Sequence, residues 1–363
     1  MILTYRYRVK DGGASTRRAL HRMTGAANYV WNFCCETQRE AERRWKAGGK
    51  SRWPSYFTLT MLTAGCAADL GLHSRTVRGI CRQFCASRDK IKRCPRWRTG
   101  RKNLGWIPIN DAPARAFKLS NGVLTFLKRK YYLWFSRAIP ANATLKTASF
   151  ACDNRGRWYF NVVLELPDGE RKDGPEVGID LGLKTLATLS DGRKIEPPQY
   201  YRKAEEQLAK FQRFGMKKRA QAIAAKVANQ RKDFLHKLST GLVREFAHIV
   251  VGDVSPSKLG KTRMAKAIHD AGWSMLRQML FYKGIALGAL VEVVSERMTT
   301  QACSCCGSLA SSTKPKGIGA LGIRHWTCSD CDAAHDRDVN AARNILFAGA
   351  ERRPLGAGIT AVR

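Results

Sequence analysis

Four cysteines and the acidic residues beside them have the types and spacing to do metal chemistry. Cys303 and Cys306 form one Cys-x-x-Cys, and Cys328 and Cys331 form another. Two such knuckles across a gap suit a tetrahedral Zn²⁺ held by four thiolates, a closed and therefore structural site. Binding would displace thiol protons and fold the insert. A redox pair is the other chemistry open to Cys-x-x-Cys. Cys305 and His335 lie close but fall outside the spacing. Arg324 and the Lys314–Lys316 loop, in the same insert, have the charge to meet phosphate or simply solvent.

Asp180 sits inside an apolar run, VGIDLG, where an ionised carboxylate is costly to bury without a cation. It reads either as a strand-end acceptor for turn amides near Gly182 or as a metal ligand. Asp338 opens DVNAARNIL, where it is either the helix N-cap or a ligand at the helix mouth. Asp336 competes with it for both roles.

Elements must position these groups. Residues 1–10 read as a strand, and about 15–90 as helical, with Leu20, Met23, Ala27, Val30 and Trp31 on one face. From Arg93 to Pro167 the period changes to strands. Trp158, Phe160, Val162 and Leu164 alternate inward, and LKRKYYLWFSR (127–137) is a second strand. The charged, Gly/Pro-rich segment 167–176 is the best boundary. Beyond it come three strands with turns at Gly182 and Asp191–Gly192, then one long helix from Lys203 to about His248. Phe234, Leu238, Leu242 and Phe246 recur along its last part. HIVVGD is a buried strand, Trp273, Leu276, Leu280 and Leu287 mark a helix, and LVEVVSE is a strand. The insert and the helix at Asp338 follow.

The chain of 363 residues carries a formal net charge of +35, and residues 1–150 hold 30 Lys and Arg against 7 Asp and Glu. Such an excess calls for a polyanion, and nucleic acid is the obvious one. Apolar content of 44% supports a buried core and excludes a disordered basic protein. The N-terminus is a basic strand and not an apolar leader, and no run approaches the ~20 apolar residues of a membrane span. The 12 cysteines therefore read as reduced, with Cys81 and Cys85 as core. No membrane partner and a cytoplasmic, nucleoid-associated bacterial location are expected.

The blocks GIDLGLKTLATL (178–189), RKDFLHKLS (231–239), DAGWSMLRQMLFYK (270–283), TTQACSCCG (299–307) and CSDCDAAHDRDVNAARNIL (328–346) occur in order. Together they resemble the RuvC nuclease of the transposon-encoded TnpB proteins, relatives of type V CRISPR effectors. CPRWRTGRKNLGW (94–106) extends the likeness more weakly. The resemblance implies an α/β multidomain protein. Residues 1–10 and 93–172 would form a β-barrel-like wedge domain, interrupted by a helical recognition domain (11–92). An RNase H-like RuvC domain would span 173–299 and 335–350, with a zinc-ribbon insert for target nucleic acid (300–334) and a tail (351–363). It implies an RNA-guided DNA endonuclease that cuts double-stranded DNA beside a short flanking motif, with a guide RNA from the transposon end.

It also implies an Asp–Glu–Asp site holding two Mg²⁺. Asp180 and Asp338 match the outer pair. The middle position departs, because the usual strand end Glu-Asp-Leu is here Gly252-Asp253-Val254. Asp253 is one residue out of register and would face the other side. Glu296, ending the next strand about 5 Å away, is long enough to lean over Gly252. Some TnpB-like proteins and their eukaryotic Fanzor relatives are understood to use such a relocated Glu. The expected trio is therefore Asp180, Glu296 and Asp338, with Asp253 as the lesser candidate. The alternative is a nuclease-dead, RNA-guided DNA-binding repressor. Arg17, Arg18, Arg78, Arg82, Arg96, Arg98, Arg101, Lys102, Lys128, Arg129 and Lys130 are candidate phosphate contacts.

Overall fold

The computed structural model of the chain describes residues 1–10, 13–49, 53–100, 105–109, 116–254, 270–315 and 322–350. It divides into two compact units, Met1–Pro167 and Asp168–Arg363.

The first unit is built on seven strands, β1 (Ile2–Val9), β2 (Trp106–Ile109), β3 (Phe117–Ser120), β4 (Val123–Phe126), β5 (Arg129–Trp134), β6 (Thr144–Cys152) and β7 (Trp158–Glu165). They form one antiparallel sheet, curled as a half-barrel, in the order β2-β6-β7-β1-β5-β4-β3. Alternation decides its faces. Trp158, Phe160, Val162 and Leu164 of β7 are all buried, as their spacing requires. Phe160 meets Phe117 and Phe150 at ring-centroid distances of 5.0 Å each. The strand expected from Leu127 starts at Arg129 instead. Leu127 and Lys128 both take left-handed backbone, φ 48° and 59°, and close a two-residue hairpin turn between Phe126 and Arg129. Lys128 is thereby an exposed hairpin tip.

Between β1 and β2 lie α1 (Ala14–Lys46), α2 (Tyr56–Leu62), α3 (Cys66–Asp69) and α4 (Ser74–Ile91). Leu20, Met23, Ala27, Val30 and Trp31 are buried along α1, and Trp31 stands edge-on to Phe84 of α4 at 5.4 Å. Cys34, Cys35, Cys81 and Cys85 are free thiols in this core.

The second unit centres on a five-stranded sheet of order β10-β9-β8-β11-β12, made of β8 (Glu176–Leu181), β9 (Ala187–Leu189), β10 (Lys194–Ile195), β11 (His248–Gly252) and β12 (Leu290–Val294). β8, β9 and β10 are antiparallel neighbours, whereas β8, β11 and β12 run parallel. The expected single helix from Lys203 is two, α5 (Tyr200–Arg213) and α6 (Lys217–Glu245). Gly215, at φ 63°, breaks the run in a conformation that a continuous helix cannot hold. α7 (Trp273–Leu287) follows, and α8 (Arg337–Ala350) closes the unit.

One sheet face, with Val177, Ile179, Ile249 and Val251, packs with Leu235 and Leu242 of α6 and Leu276 and Leu280 of α7. Leu287 ends α7 and is exposed, and Gly288 then turns the chain at φ 73°. The opposite face, with Val250 and Val294, packs with Ile345 of α8. Contact there is close. A Cβ on Gly178 would lie 2.0 Å from the Ala342 carbonyl oxygen, so only glycine lets α8 reach β8. Among the described residues no helix is long and apolar enough to cross a membrane.

Candidate active site and metal centre

Strand period puts Asp180 on the α8 face, two residues beyond Gly178. The pairing Ile179↔Val251, continued by one residue, sets Asp180 beside Gly252, which pairs with Val294. Glu296 then occupies the space over Gly252. A Cβ there would lie 2.0 Å from Glu296 Oε1 and 2.5 Å from its Cγ. The site thus lies at the C-terminal ends of parallel strands, the usual place for function in such sheets.

The electrostatics follow from burial. Packing drives the Asp180 carboxyl up to about 7, helped by Asp338 and opposed by Arg337 and Arg324. Glu296 also reaches about 7, first through burial, then through Asp180 and Asp253, against the Val254 N–H and Arg277. Among the described residues Glu296 Oε1 is buried with no hydrogen-bond partner. Two buried carboxyls that raise one another, one with an unpartnered oxygen, make a site that a cation would relieve.

Asp338 stands in the first turn of α8, and Arg324 Nη1 donates to both its oxygens at 3.0 and 2.8 Å. The N-cap role belongs to Asp336. Its Oδ1 accepts from the N–H groups of Asp338 and Val339 at 3.0 and 3.1 Å, and Lys194 Nζ lies 2.6 Å from Oδ2. Burial works against that charge, but these donors hold the Asp336 carboxyl below its usual range. Asp338 is therefore free of capping. Asp253 is exposed, and its Oδ1 accepts from the Glu296 backbone N–H at 3.1 Å.

Cys303, Cys306, Cys328 and Cys331 converge, with all four sulfurs within 4.8 Å of one another. Cys303–Cys331 and Cys306–Cys328 are 3.6 and 3.8 Å apart. A tetrahedron of Zn–S bonds near 2.3 Å has sulfur edges of about 3.8 Å, so these residues fit zinc. A two-stranded ladder, β13 (His325–Thr327) and β14 (Ala334–Asp336), frames the second knuckle. Sequence reasoning set His335 aside, yet its Nε2 lies 3.0 Å from Cys303 Sγ and its ring packs, tilted, on Trp326 at 4.7 Å. Only proximity to Cys331 hinted at it. Asn340 and Asn344 were also missed, because amides carry no ligand spacing.

Of the basic candidates, Arg17, Arg18, Arg78, Arg82, Arg96, Lys128 and Lys130 are exposed and Arg129 is half-buried. Arg101 and Lys102 lie outside the described residues. Arg98 is half-buried between the Trp31 and Trp106 rings, 3.6 and 4.7 Å from their centroids. Burial lowers its guanidinium to about 10. Asn32 grips its backbone N–H and C=O at 2.8 Å each, so Arg98 straps the strand region to α1.

A chain that sets carboxylates at parallel strand ends and carries a four-cysteine cluster is similar to known proteins. The family described as "Cas12f1-like, TNB domain" matches residues 273–345, and OrfB_IS605, described as "Probable transposase", matches residues 160–263. A Streptomyces pristinaespiralis protein described as "Putative RNA-guided DNA endonuclease" is 33% identical, over 98% of this chain and 90% of its own length. The InsQ protein of Escherichia coli K12, with the same description, is 30% identical over 59% of this chain and 58% of its own. The TnpB-like protein L79 of Acanthamoeba polyphaga mimivirus is 26% identical over 61% and 41%. The chain belongs to the TnpB family, OrfB of IS605.

Proposed function

We propose that this chain is an RNA-guided DNA endonuclease with an active RNase H-like RuvC site formed by Asp180, Glu296 and Asp338. The observation that carries it is the exchange at Gly252: the missing side chain is replaced, atom for space, by the carboxylate of Glu296. A lost site would have no reason to keep a half-buried acid, raised to about 7, over an empty glycine.

Three carboxylates are hard oxygen donors suited to Mg²⁺. Mg²⁺ held by these residues would supply activation of the attacking water and stabilisation of the leaving 3′ oxygen. Asp180 and Glu296 supply negative charge from the strand ends, and Asp338 supplies it from α8. Arg324 offsets the Asp338 charge until the site is loaded. The four-cysteine ribbon holds structural zinc, and the basic first unit takes up guide RNA and the flanking DNA motif as wedge and recognition domains. Its exposed Arg17, Arg18, Arg78, Arg82, Arg96, Lys128 and Lys130 are the phosphate contacts in this reading.

The test is cleavage by protein purified with RNA transcribed from its native flanking DNA, given Mg²⁺ and a matched plasmid beside a randomised flank. Asp180→Ala and Glu296→Ala are each expected to abolish cutting with guide-dependent binding kept. The exchange Gly252→Glu with Glu296→Gly should restore it, because it returns the carboxylate to the same space. Cutting that survives Glu296→Ala would refute the relocated glutamate. Guide-dependent binding without cutting by the unaltered protein would make it a repressor.

A further inference from the structure

Asn340 and Asn344 stand one turn apart on α8, and their amides converge on the same two carbonyls. Asn340 Nδ2 donates to Thr299 O at 3.2 Å and Ala302 O at 2.8 Å. Asn344 Nδ2 donates to the same two oxygens at 2.8 Å each. All four amide hydrogens are thereby used. The remaining oxygen of Asn340 accepts from the Ser304 N–H at 2.8 Å, inside the first zinc knuckle. That set of partners fixes which way the Asn340 amide points, since carbonyls need its NH₂ and an N–H needs its oxygen. Asn340 is 1% exposed, so losing any of these bonds strands polar groups in the interior.

The two carbonyls end a short turn that begins at Glu296. Thr299 Oγ1 donates to Glu296 O at 2.9 Å, and the Glu296 N–H is taken by Asp253 at 3.1 Å. The backbone of Glu296 is thus held on one side by Asp253 and on the other, through Thr299, by the helix that carries Asp338. Resting on the reading of Glu296 as a metal ligand, we propose that Asn340 and Asn344 are positioning residues. They fix the placement of Glu296 relative to Asp338, and they join both carboxylates mechanically to the four-cysteine centre.

The experiment is Mn²⁺ binding to the zinc-loaded full chain, followed by electron paramagnetic resonance. Asn344→Leu, or Asn344→Ala if the leucine variant does not retain zinc, removes both donors without touching a ligand. Either is expected to weaken Mn²⁺ binding about ten- to a hundredfold, the usual effect of an outer-shell substitution. The same change in a Glu296→Gln background is expected to have no effect, because the group it positions is gone. A merely structural asparagine would lower affinity by an equal factor in both backgrounds, and that result, or no loss at all, overturns the proposal. If Glu296→Gln itself leaves Mn²⁺ affinity unchanged while Asp180→Asn lowers it, the ligand reading of Glu296 fails, and the clamp with it.

Discussion

In the proposed site, the Glu296 carboxylate fills the space that Gly252 leaves open. Their exchange was legible in the sequence only as a departure from a pattern plus a length argument: a glutamate at the next strand end, a glycine with nothing to obstruct it. The structure supplies the fit. The same crowding sets a pH dependence. Asp180 and Glu296 rise from ordinary values of 3.8 and 4.5 to about 7 on folding. Raised carboxyls favour the protonated folded state. In the metal-free protein their contribution is complete below the ordinary values and is lost as pH climbs to about 7. Metal binding runs the other way, since ligands must be deprotonated. Denaturant midpoints of the metal-free chain are thus expected to fall between pH 4.5 and 7 while Mn²⁺ affinity rises, and flat profiles in Asp180→Asn/Glu296→Gln would assign both trends.

At the scale of elements, periodicity located most strands and helices because each buries one face, as in β7 and α1. It failed where backbone conformation and not side-chain pattern decides: at Gly215, which splits α5 from α6, and at Leu127–Lys128, which turn a hairpin without a turn-like sequence. The four-cysteine ribbon was the easiest element to read, since ligand spacing is itself sequence. Its partners were not, because His335 and Trp326 act through tilted ring packing and a single N···S contact. Trp326 reports on them. Removal of zinc, by chelation or Cys328→Ser, is expected to unfold the ribbon and shift Trp326 emission to the red, with the shift reversed by zinc and absent in Trp326→Phe. Nuclease activity should fall with it.

For the whole molecule, the net charge of +35 was the plainest statement the sequence made, and it names a class of partner without naming residues. Folding sorts those charges: Arg98 is drawn between two tryptophans, whereas Lys128 is set on a hairpin tip. Binding to unrelated RNA should be governed by counterion release. If six to ten phosphates are neutralised, affinity is expected to drop about 10³- to 10⁵-fold between 50 and 200 mM salt. A shallow slope in filter binding would mean that most of the basic surface never meets phosphate.

The ribbon leaves the sheet at Thr299 and Ala302 and returns at α8, where Asn340 and Asn344 bind both departing carbonyls. In polymer terms it is a closed loop with a welded neck. The entropy of closing such a loop grows only with the logarithm of its length, about 0.6 kcal/mol for each doubling. By that entropy alone, a change in the length of the excursion costs folding little, provided that the neck is kept.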